Sequence, residues 1–385
     1  MSIIDDWKAG MKLVKNKIRV CHLTSAHKRY DQRILYRQCV SLQQNGYTVT
    51  LVVNDTLDDE VYKGVAIKST KRDYTGKRFW RMIFGVRAVY SLAKKVNADI
   101  YELHDPELLP TAILLKKRGK KVIFDSHESY YEQIKTKEYL PKLLRSAVAD
   151  IYRAYESKVV KKIDGVIIPS TVNGVNLFKG RAKKSIFINN VPRLENFPLK
   201  KKGEGKREGI CYAGGLTYDR GITMLMKAAY KAKVTLYLAG EFSPKSYYET
   251  LMKEKESKII KYEGVLKGED IYKLYRHCAI GMCTLLDVGQ YSKGNNLSTK
   301  VYEYMAMGLP VILSDFPYNR KMIEKYQFGL LVNPENPDDI AEKIKYLFNH
   351  LDEAARFGEN GRRLVSKKLN WSVEEKKLLK FYFEL

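Results

Sequence analysis

The chain has 385 residues, 45% of them hydrophobic and 29% charged, which excludes a disordered or low-complexity protein and predicts about two globular domains. Lysine and arginine number 69 against 44 acidic residues, so the net charge of +25 predicts an anionic partner: nucleic acid, a membrane surface or phosphorylated small molecules. The five cysteines lack metal-ligand spacing, so we expect buried thiols. No apolar run approaches the roughly 20 residues that span a bilayer, and residues 1–17 lack a signal-peptide core. We therefore expect a cytoplasmic protein.

Short apolar runs alternate with long amphipathic stretches through the first half of the chain, a pattern typical of a parallel sheet covered by helices. The first apolar run, 18–23, is followed by a helical stretch, 32–45, which ends at Gly46 as helices often do at glycine. Further strands are predicted at 48–53, 100–103, 121–125, 165–169 and 185–188.

Residues 189–208 combine prolines with a run rich in lysine and glycine, which predicts an interdomain linker. The alternation then restarts, with strands predicted at 210–212, 234–239, 259–262, 280–283 and 310–314 and helices at 222–231, 271–277, 299–307 and 337–349. The predicted fold is therefore α/β, with two Rossmann-like, doubly wound domains (1–195 and 196–369) facing across a cleft. Ligands are expected outside the carboxyl ends of the strands.

The predicted helix 299–307 has the features of an anion site. Ser298 is a good N-cap and Gly308 a good helix stop, and the free N–H groups at such a helix front favour a diphosphate. Lys300 opposes the helix dipole, which favours a position facing phosphate. Glu303, one turn further, is placed to accept hydrogen bonds from a ribose diol; the alternative is a solvated helix residue.

The run from Lys300 to Ile312, KVYEYMAMGLPVI, resembles the signature of family-4 retaining glycosyltransferases, which have the GT-B fold. The resemblance implies that Glu303 binds the ribose. It places Asn295 where the family commonly has a first glutamate, and it implies backbone amides for the diphosphate at Leu297, Ser298 and Thr299. It also implies a nucleotide-diphosphate sugar as co-substrate and no metal or other cofactor.

The segment 212–222 also agrees with the family. Gly214 and Gly215 allow the backbone to approach a ligand, and Arg220 can place a cation on phosphate. Relatives usually have a second cation at the position of Gly215, for which Lys300 is the candidate replacement. The family layout also implies donor contacts at Glu241 and Val265, and a closing helix, 370–385, that packs back on the first domain.

The first domain is expected to hold the acceptor. Arg29 and Arg33 lie where many relatives carry a glycine-rich loop, and they are candidates for contact with an acceptor phosphate or the donor diphosphate. The alternative is a set of polar helix-cap residues around Asp31.

Two histidine-acid clusters follow predicted strands, where α/β active sites are built. His127 matches the family's histidine beside the donor sugar, and His104 and Glu128 are further acceptor-side candidates. A single histidine in such a place is more often structural. We expect no metal here, because the residues come from separate strands without ligand spacing.

The resemblance implies transfer of a sugar, with retention, from a UDP-sugar or alternatively a GDP-sugar. The expected acceptor is a glycan or a polyprenyl-diphosphate-linked glycan in cell-surface polysaccharide biosynthesis. His127, Arg220 and Lys300 are the expected catalytic residues, the two cations meeting the charge that grows on the leaving diphosphate. The alternatives are a sugar-nucleotide epimerase of the same fold and a basic non-enzymatic protein that binds membranes or nucleic acid.

Residues 77–95 hold six basic residues and no acid among Phe, Trp and Ile, which is typical of a helix lying on anionic lipid. Residues 135–162 are similar. We therefore expect peripheral association with the inner face of the plasma membrane; a packing helix with a solvated basic rim is the alternative. No recognisable nucleic-acid module is present, so nucleic acid is not an expected partner.

Overall fold

The computed structural model describes residues 18–74, 77–136, 141–198, 206–288 and 291–385. The chain divides into two compact units. Unit 1 runs to Thr171 and adds Val175–Asn190 and Glu374–Leu385, whereas unit 2 comprises Val172–Gly174 and Val191–Val373. Residues 1–17 lie outside the described residues. So do residues 199–205, which are part of the predicted linker.

Unit 1 is built on an eight-stranded sheet. Its strands are β1 (Arg19–Leu23), β2 (Thr48–Val53), β3 (Glu60–Tyr62), β4 (Val65–Ser69), β5 (Ile100–Leu103), β6 (Lys121–Asp125), β7 (Gly165–Ile168) and β8 (Ser185–Phe187). They lie in the order β3-β4-β2-β1-β5-β6-β7-β8, and the pairing is parallel except between β3 and β4. The central strands are buried almost throughout, because helices cover a parallel sheet on both faces.

The helices of unit 1 follow the strands. They are α1 (Ile34–Cys39, a π-helical turn, continuing as Val40–Gln44), α2 (Arg78–Trp80, Arg81–Gly85 and Val86–Val96), α3 (Leu109–Lys117), α4 (Tyr130–Thr136) and α5 (Lys142–Val160). Asp31 accepts hydrogen bonds from the backbone N–H groups of Arg33 and Ile34 and so caps α1, as the alternative reading of this loop predicted.

Unit 2 contains a parallel six-stranded sheet. Its strands are β9 (Ile210–Ala213), β10 (Leu236–Ala239), β11 (Ile260–Tyr262), β12 (Ile280–Cys283), β13 (Val311–Ser314) and β14 (Gly329–Val332), in the order β11-β10-β9-β12-β13-β14. The helices are α6 (Ile222–Ala232), α7 (Lys245–Lys253), α8 (Glu269–His277), α9 (Thr299–Ala306), α10 (Pro317–Tyr326), α11 (Pro337–Asn349), α12 (Leu351–Lys367) and α13 (Trp371–Phe383).

From Glu374 onward, α13 belongs to unit 1. Phe381 packs on β7 so closely that a Cβ at Gly165 would lie 2.4 Å from its ring, which requires glycine there. Tyr382, fully buried, packs edge-on against Tyr47 and donates a hydrogen bond to Glu102 in β5. These contacts fix the end of the chain to the first sheet.

Strands 48–53, 100–103, 121–125 and 280–283 and helix 337–349 are confirmed to the residue. The hairpin β3–β4 and strand β14 were not predicted. All five cysteines are free and buried, as expected. Among the described helices, none has the length and apolar character needed to cross a bilayer.

Candidate functional site

In unit 2, the loops after β9 and β10 approach each other closely. Gly214 N–H donates to the Ala239 carbonyl, and a Cβ at Gly240 would lie 1.8 Å from the Gly214 carbonyl oxygen. Gly240 also has a φ of +144°, so only glycine fits. Gly214, Gly215 and the neighbouring Glu241 are exposed at this edge of the sheet.

Lys300 lies in the first turn of α9 and is 8% exposed. Its Nζ is 4.6 Å from the centre of the Tyr212 ring and 3.4 Å from Ser298 Oγ, and a Cβ added at Gly214 would lie 3.3 Å from its Cε. Burial, together with the charge of Arg220, lowers the pKa of Lys300. The lysine therefore reaches back to the glycine loop as a buried cation.

Arg220 is half-buried, with its guanidinium 4.8 Å from the centre of the Tyr291 ring. Tyr291 donates a hydrogen bond of 3.0 Å to Asp219, which holds the ring in place. Within the described part of the chain, neither Arg220 nor Lys300 forms an ion pair with a carboxylate. Two cations resting on tyrosine rings thus flank the front of α9.

The front of α9 presents fewer free amides than the resemblance implied. Leu297 N–H already donates to the buried Tyr302 hydroxyl at 3.1 Å, which corrects the expectation for this amide. Ser298 occupies the N-cap position, but its side chain makes no capping bond. The N–H groups of Ser298 and Thr299 have no hydrogen-bond partner among the described residues, so they remain available to an anion.

Glu303 is half-buried, and its Oε2 accepts a hydrogen bond of 2.9 Å from the Tyr275 hydroxyl. Tyr275 is itself buried and packs edge-on against Tyr304. Sequence reasoning missed Tyr275, since a tyrosine on a helix 28 residues earlier gives no signal of this contact. The Tyr275 hydroxyl therefore anchors one carboxylate oxygen of Glu303.

The remaining donor-side candidates lie at the exposed edge of unit 2. Val265, beyond β11, is 60% exposed. Asn295 is exposed as well, beside Gly174, where the short segment Val172–Gly174 pairs with the loop before α9.

In unit 1, four histidines meet at the carboxyl ends of β1, β5 and β6. His22 Nδ1 lies 2.9 Å from His104 Nε2, and His104 Nδ1 lies 3.2 Å from both Asp125 Oδ2 and His127 Nε2. The His27 ring centre is 4.4 Å from that of His127. The sequence pointed to His104 and His127 but missed His22, which looks like an ordinary residue of a buried strand.

Burial shifts the titration of this cluster. It lowers the pKa of His104 to about 4 and raises the pKa of Glu102, beside Asp125, to about 8. Although burial alone would raise it, the pKa of Asp125 lies well below its usual value, because Arg33 and His127 favour the carboxylate. The cluster is thus neutral at both Glu102 and His104 near pH 7, with one fixed negative charge at Asp125.

His27 and Asp105 form a second, neighbouring pair, with His27 Nδ1 2.9 Å from Asp105 Oδ1. Asp105 also accepts hydrogen bonds from the Thr24 hydroxyl and the Ser25 amide, at 2.7 and 2.6 Å. Burial alone would lower the pKa of His27, but the contact with Asp105 outweighs burial and raises this pKa. Asp105 therefore fixes the loop that follows β1.

This cluster contains two groups of residues whose metal-ligating atoms lie within 4.8 Å of one another. One group is His22, Glu102 and His104, and the other is His104, Asp125 and His127. The argument that separate strands keep such residues apart is corrected, because β1, β5 and β6 are neighbours in the sheet. Asp125, however, already accepts hydrogen bonds from Arg33 and Gln38. These donors favour a hydrogen-bonded network around Asp125 over a metal site.

The structure gives Arg29 and Arg33 a structural role in place of the expected phosphate contacts. Arg29, 5% exposed, binds both oxygens of Asp55 at 2.8 Å and also pairs with Glu60. Arg33, 4% exposed, binds both oxygens of Asp125. Buried bidentate pairs of this kind occupy the guanidinium donors. Glu128, by contrast, is exposed beyond β6.

Comparison with protein families decides the assignment. Residues 32–174 match the model described as Glycosyltransferase Family 4, and residues 195–364 match that described as Glycosyl transferases group 1. The chain belongs to the family-4, group 1 glycosyltransferases. The resemblance seen in the run from Lys300 to Ile312 is thus confirmed, and the chain is a glycosyltransferase.

Curated relatives of this glycosyltransferase include spore coat protein SA of Bacillus subtilis, 30% identical over 118 residues, which cover 30% of each chain. The glycosyltransferase MJ1069 of Methanocaldococcus jannaschii is 22% identical over 80% of this chain and 79% of its own. The O-antigen biosynthesis protein RfbC of Myxococcus xanthus is 27% identical over 30% of this chain and 8% of its own. The matched region thus spans less than a third of the first of these relatives.

Solved structures of the same fold include sucrose-phosphate synthase from Thermosynechococcus elongatus, with a TM-score of 0.77 and 17% identity over 96% of this chain and 99% of that one. Anabaena Alr3699/HepE, in complex with UDP and glucose, has a TM-score of 0.70 and 14% identity over 96% of this chain and 100% of its own. The predicted GT-B fold, with two Rossmann-like α/β domains, is confirmed.

Proposed function

We propose that this glycosyltransferase moves a sugar, with retention of configuration, from a nucleotide-diphosphate sugar to a glycan or a polyprenyl-diphosphate-linked glycan. The supporting observation is the pair of cations at the front of α9. Arg220 and Lys300 have no carboxylate partner among the described side chains, and the amides of Ser298 and Thr299 lie beside them. Together they suit a diphosphate whose negative charge grows as the sugar leaves.

In this proposal Glu303, which Tyr275 anchors through Oε2, binds the ribose. Asn295, Gly214, Gly215, Glu241 and Val265 surround the sugar and base. UDP is the favoured nucleotide, since Anabaena Alr3699/HepE is in complex with UDP and glucose; GDP is the second candidate. The two cations meet the leaving group themselves, so we propose that no metal cofactor is required.

His127 is proposed to contact the reacting sugar, with His104 supporting it and the exposed Glu128 on the acceptor side. A role in cell-surface polysaccharide biosynthesis fits the spore coat and O-antigen relatives. The epimerase and the non-enzymatic alternatives are not favoured by the family match.

We also propose that unit 1 lies against an anionic membrane surface. On α2, Phe79 and Trp80 are 68% and 53% exposed, beside the basic residues of 77–95. On α5, an exposed apolar stripe at helical spacing consists of Leu144, Val148, Ile151 and Tyr155. Large exposed aromatic side chains flanked by lysine and arginine suit the headgroup region of such a membrane.

The direct test is release of nucleoside diphosphate from a panel of UDP- and GDP-sugars, with and without polyprenyl-diphosphate-linked glycans, in the presence of EDTA. Proton NMR of the product reports the anomeric configuration. The proposal expects acceptor-dependent release that survives EDTA, with the donor's configuration retained. Isomerisation of the donor without acceptor would indicate the epimerase, and an inverted product or loss of activity in EDTA would overturn the retaining or metal-free part.

A further inference from the structure

Asp125 is held by more donors than a structural ion pair needs. Arg33 donates from Nε to Oδ2 at 2.8 Å and from Nη2 to Oδ1 at 2.7 Å, and Gln38 Nε2 donates to Oδ2 at 3.0 Å. The Asp125 side chain is fully buried. Its carboxylate is therefore fixed in place and kept ionised.

Two imidazoles face the same oxygen, since His104 Nδ1 and His127 Nε2 each lie 3.2 Å from Asp125 Oδ2. An ionised carboxylate only accepts hydrogen bonds, so a bare ring nitrogen in this position would set one lone pair against another. Away from water, that arrangement is costly. His104 Nδ1 and His127 Nε2 also lie 3.2 Å from each other. Because an ionised carboxylate is a stronger acceptor than a neutral ring nitrogen, both nitrogens carry protons and donate them to Asp125.

The rest of the cluster agrees with this protonation. With Nδ1 of His104 protonated, the Nε2 of the neutral ring accepts a hydrogen bond, and His22 Nδ1 lies 2.9 Å from it as the donor. The His104 and Asp125 side chains have no solvent exposure, whereas the His127 side chain is 14% exposed. Of the two imidazoles that face Asp125, His127 is thus the one that reaches the surface of unit 1.

We propose that Asp125 is a positioning residue, which holds His127 as the Nε2–H tautomer so that its Nδ1 lone pair accepts a hydrogen bond from a sugar hydroxyl. Arg33 and Gln38 act through Asp125 by fixing its carboxylate. The ligand part of this inference rests on the proposed glycosyl transfer, whereas the tautomer is a property of the free protein.

The tautomer is measured on the wild-type protein without substrate. The chain has six histidines, so ¹⁵N-histidine labelling gives a spectrum simple enough to assign, with His127→Gln identifying the resonance of interest. At about pH 8, where an ordinary imidazole is neutral, we expect His127 to show the Nε2–H pattern. An Nδ1–H pattern would overturn the inference whether or not the protein transfers sugar.

The functional test compares two amides at one position. An asparagine at 127 places its amide near the position of Nδ1, and a glutamine places its amide near that of Nε2, toward Asp125. If Nδ1 meets the substrate, His127→Asn keeps a kcat about tenfold above that of His127→Gln. The reverse order would show that the bond to Asp125 alone matters, which contradicts the inference. If the spectrum shows Nε2–H but the wild-type protein transfers no sugar, the tautomer is confirmed and the proposed function is rejected.

Asp125 itself is tested by Asp125→Asn, whose uncharged amide is a weaker acceptor. We expect a lower kcat, an increased Nδ1–H population at His127 and unchanged UDP affinity. Asp164→Asn is the matched control, because Asp164 pairs with Lys116 at 2.8 Å and accepts a hydrogen bond from the Val122 amide near the start of β6, away from the histidines. An equal loss of kcat in both variants would show a merely structural role; if Asp125→Asn does not fold, the wild-type spectrum and the amide pair decide.

Discussion

Lys300 shows at the scale of a single residue why an anion belongs at the front of α9. A buried cation loses hydration, and the Tyr212 ring and Ser298 hydroxyl replace that hydration only in part. Burial also lowers the pKa of this lysine, so its charged form is disfavoured until an opposite charge arrives. A diphosphate would supply that charge.

Lys300→Met should separate binding from folding. We expect UDP to bind about 10- to 100-fold more weakly, since a charge-assisted contact of about 1.5–3 kcal/mol is lost. The free energy of unfolding without ligand should not fall, because an apolar chain replaces a buried cation. Calorimetric titration and urea unfolding measure the two. Lys261→Met, which removes a lysine 5.3 Å from the Tyr237 ring centre, is the control and should bind UDP as wild type does. If Lys300→Met also bound UDP as tightly as wild type, the account would be contradicted.

Tyr275→Phe tests the anchor of Glu303. Removing the hydroxyl should cost about 1 kcal/mol in UDP binding, because Glu303 then loses a hydrogen bond that orients its carboxylate. Calorimetry again measures it. Tyr346→Phe, which removes a hydroxyl that donates to Glu353 in the same unit, should leave UDP affinity unchanged. A Tyr275→Phe protein that binds UDP as tightly as wild type would exclude the anchoring role.

At the scale of elements, the exposed aromatic side chains of α2 carry the membrane proposal. Phe79→Ser combined with Trp80→Ser should weaken binding to vesicles containing phosphatidylglycerol at least about tenfold, since burying each ring in lipid contributes about 1.5–3 kcal/mol. Co-sedimentation measures the effect. Leu114→Ser on α3, where leucine is 41% exposed, is the control; equal binding by all three proteins would reject this surface.

Elements with local signals could be predicted, and contacts across the sheet could not. α9 was found because Ser298, Gly308 and Pro310 mark its ends. The hairpin β3–β4 was missed because Glu60 and Lys68 interrupt its apolar pattern. Arg33 looked like a phosphate ligand because its partner, Asp125, is 92 residues away, and only the order of β1, β5 and β6 brings such residues together.

At the scale of the whole molecule, Glu102 links stability to pH. Its folded pKa of about 8 exceeds the ordinary value of 4.5. The folded chain therefore retains a proton that the unfolded chain has lost between these values, and stability falls as pH rises through the interval. His104, with a folded pKa of about 4, acts in the opposite direction but below pH 6.5.

We therefore expect the urea midpoint of unit 1 to fall between about pH 7 and about pH 8.5 in wild type and to change less in Glu102→Gln. The glutamine still accepts the Tyr382 hydrogen bond but does not titrate. Intrinsic fluorescence follows the transition, and Glu263→Gln, on the exposed edge of unit 2, is the control. An identical pH dependence in wild type and Glu102→Gln would contradict this assignment.

The central claim is that the front of α9 binds the donor diphosphate, and a crystal structure with UDP tests it most directly. We expect the diphosphate within hydrogen-bonding distance of Arg220, Lys300 and the amides of Ser298 and Thr299, with the ribose hydroxyls on Glu303. UDP bound at another place, or its absence from this site at millimolar concentration, would contradict the claim.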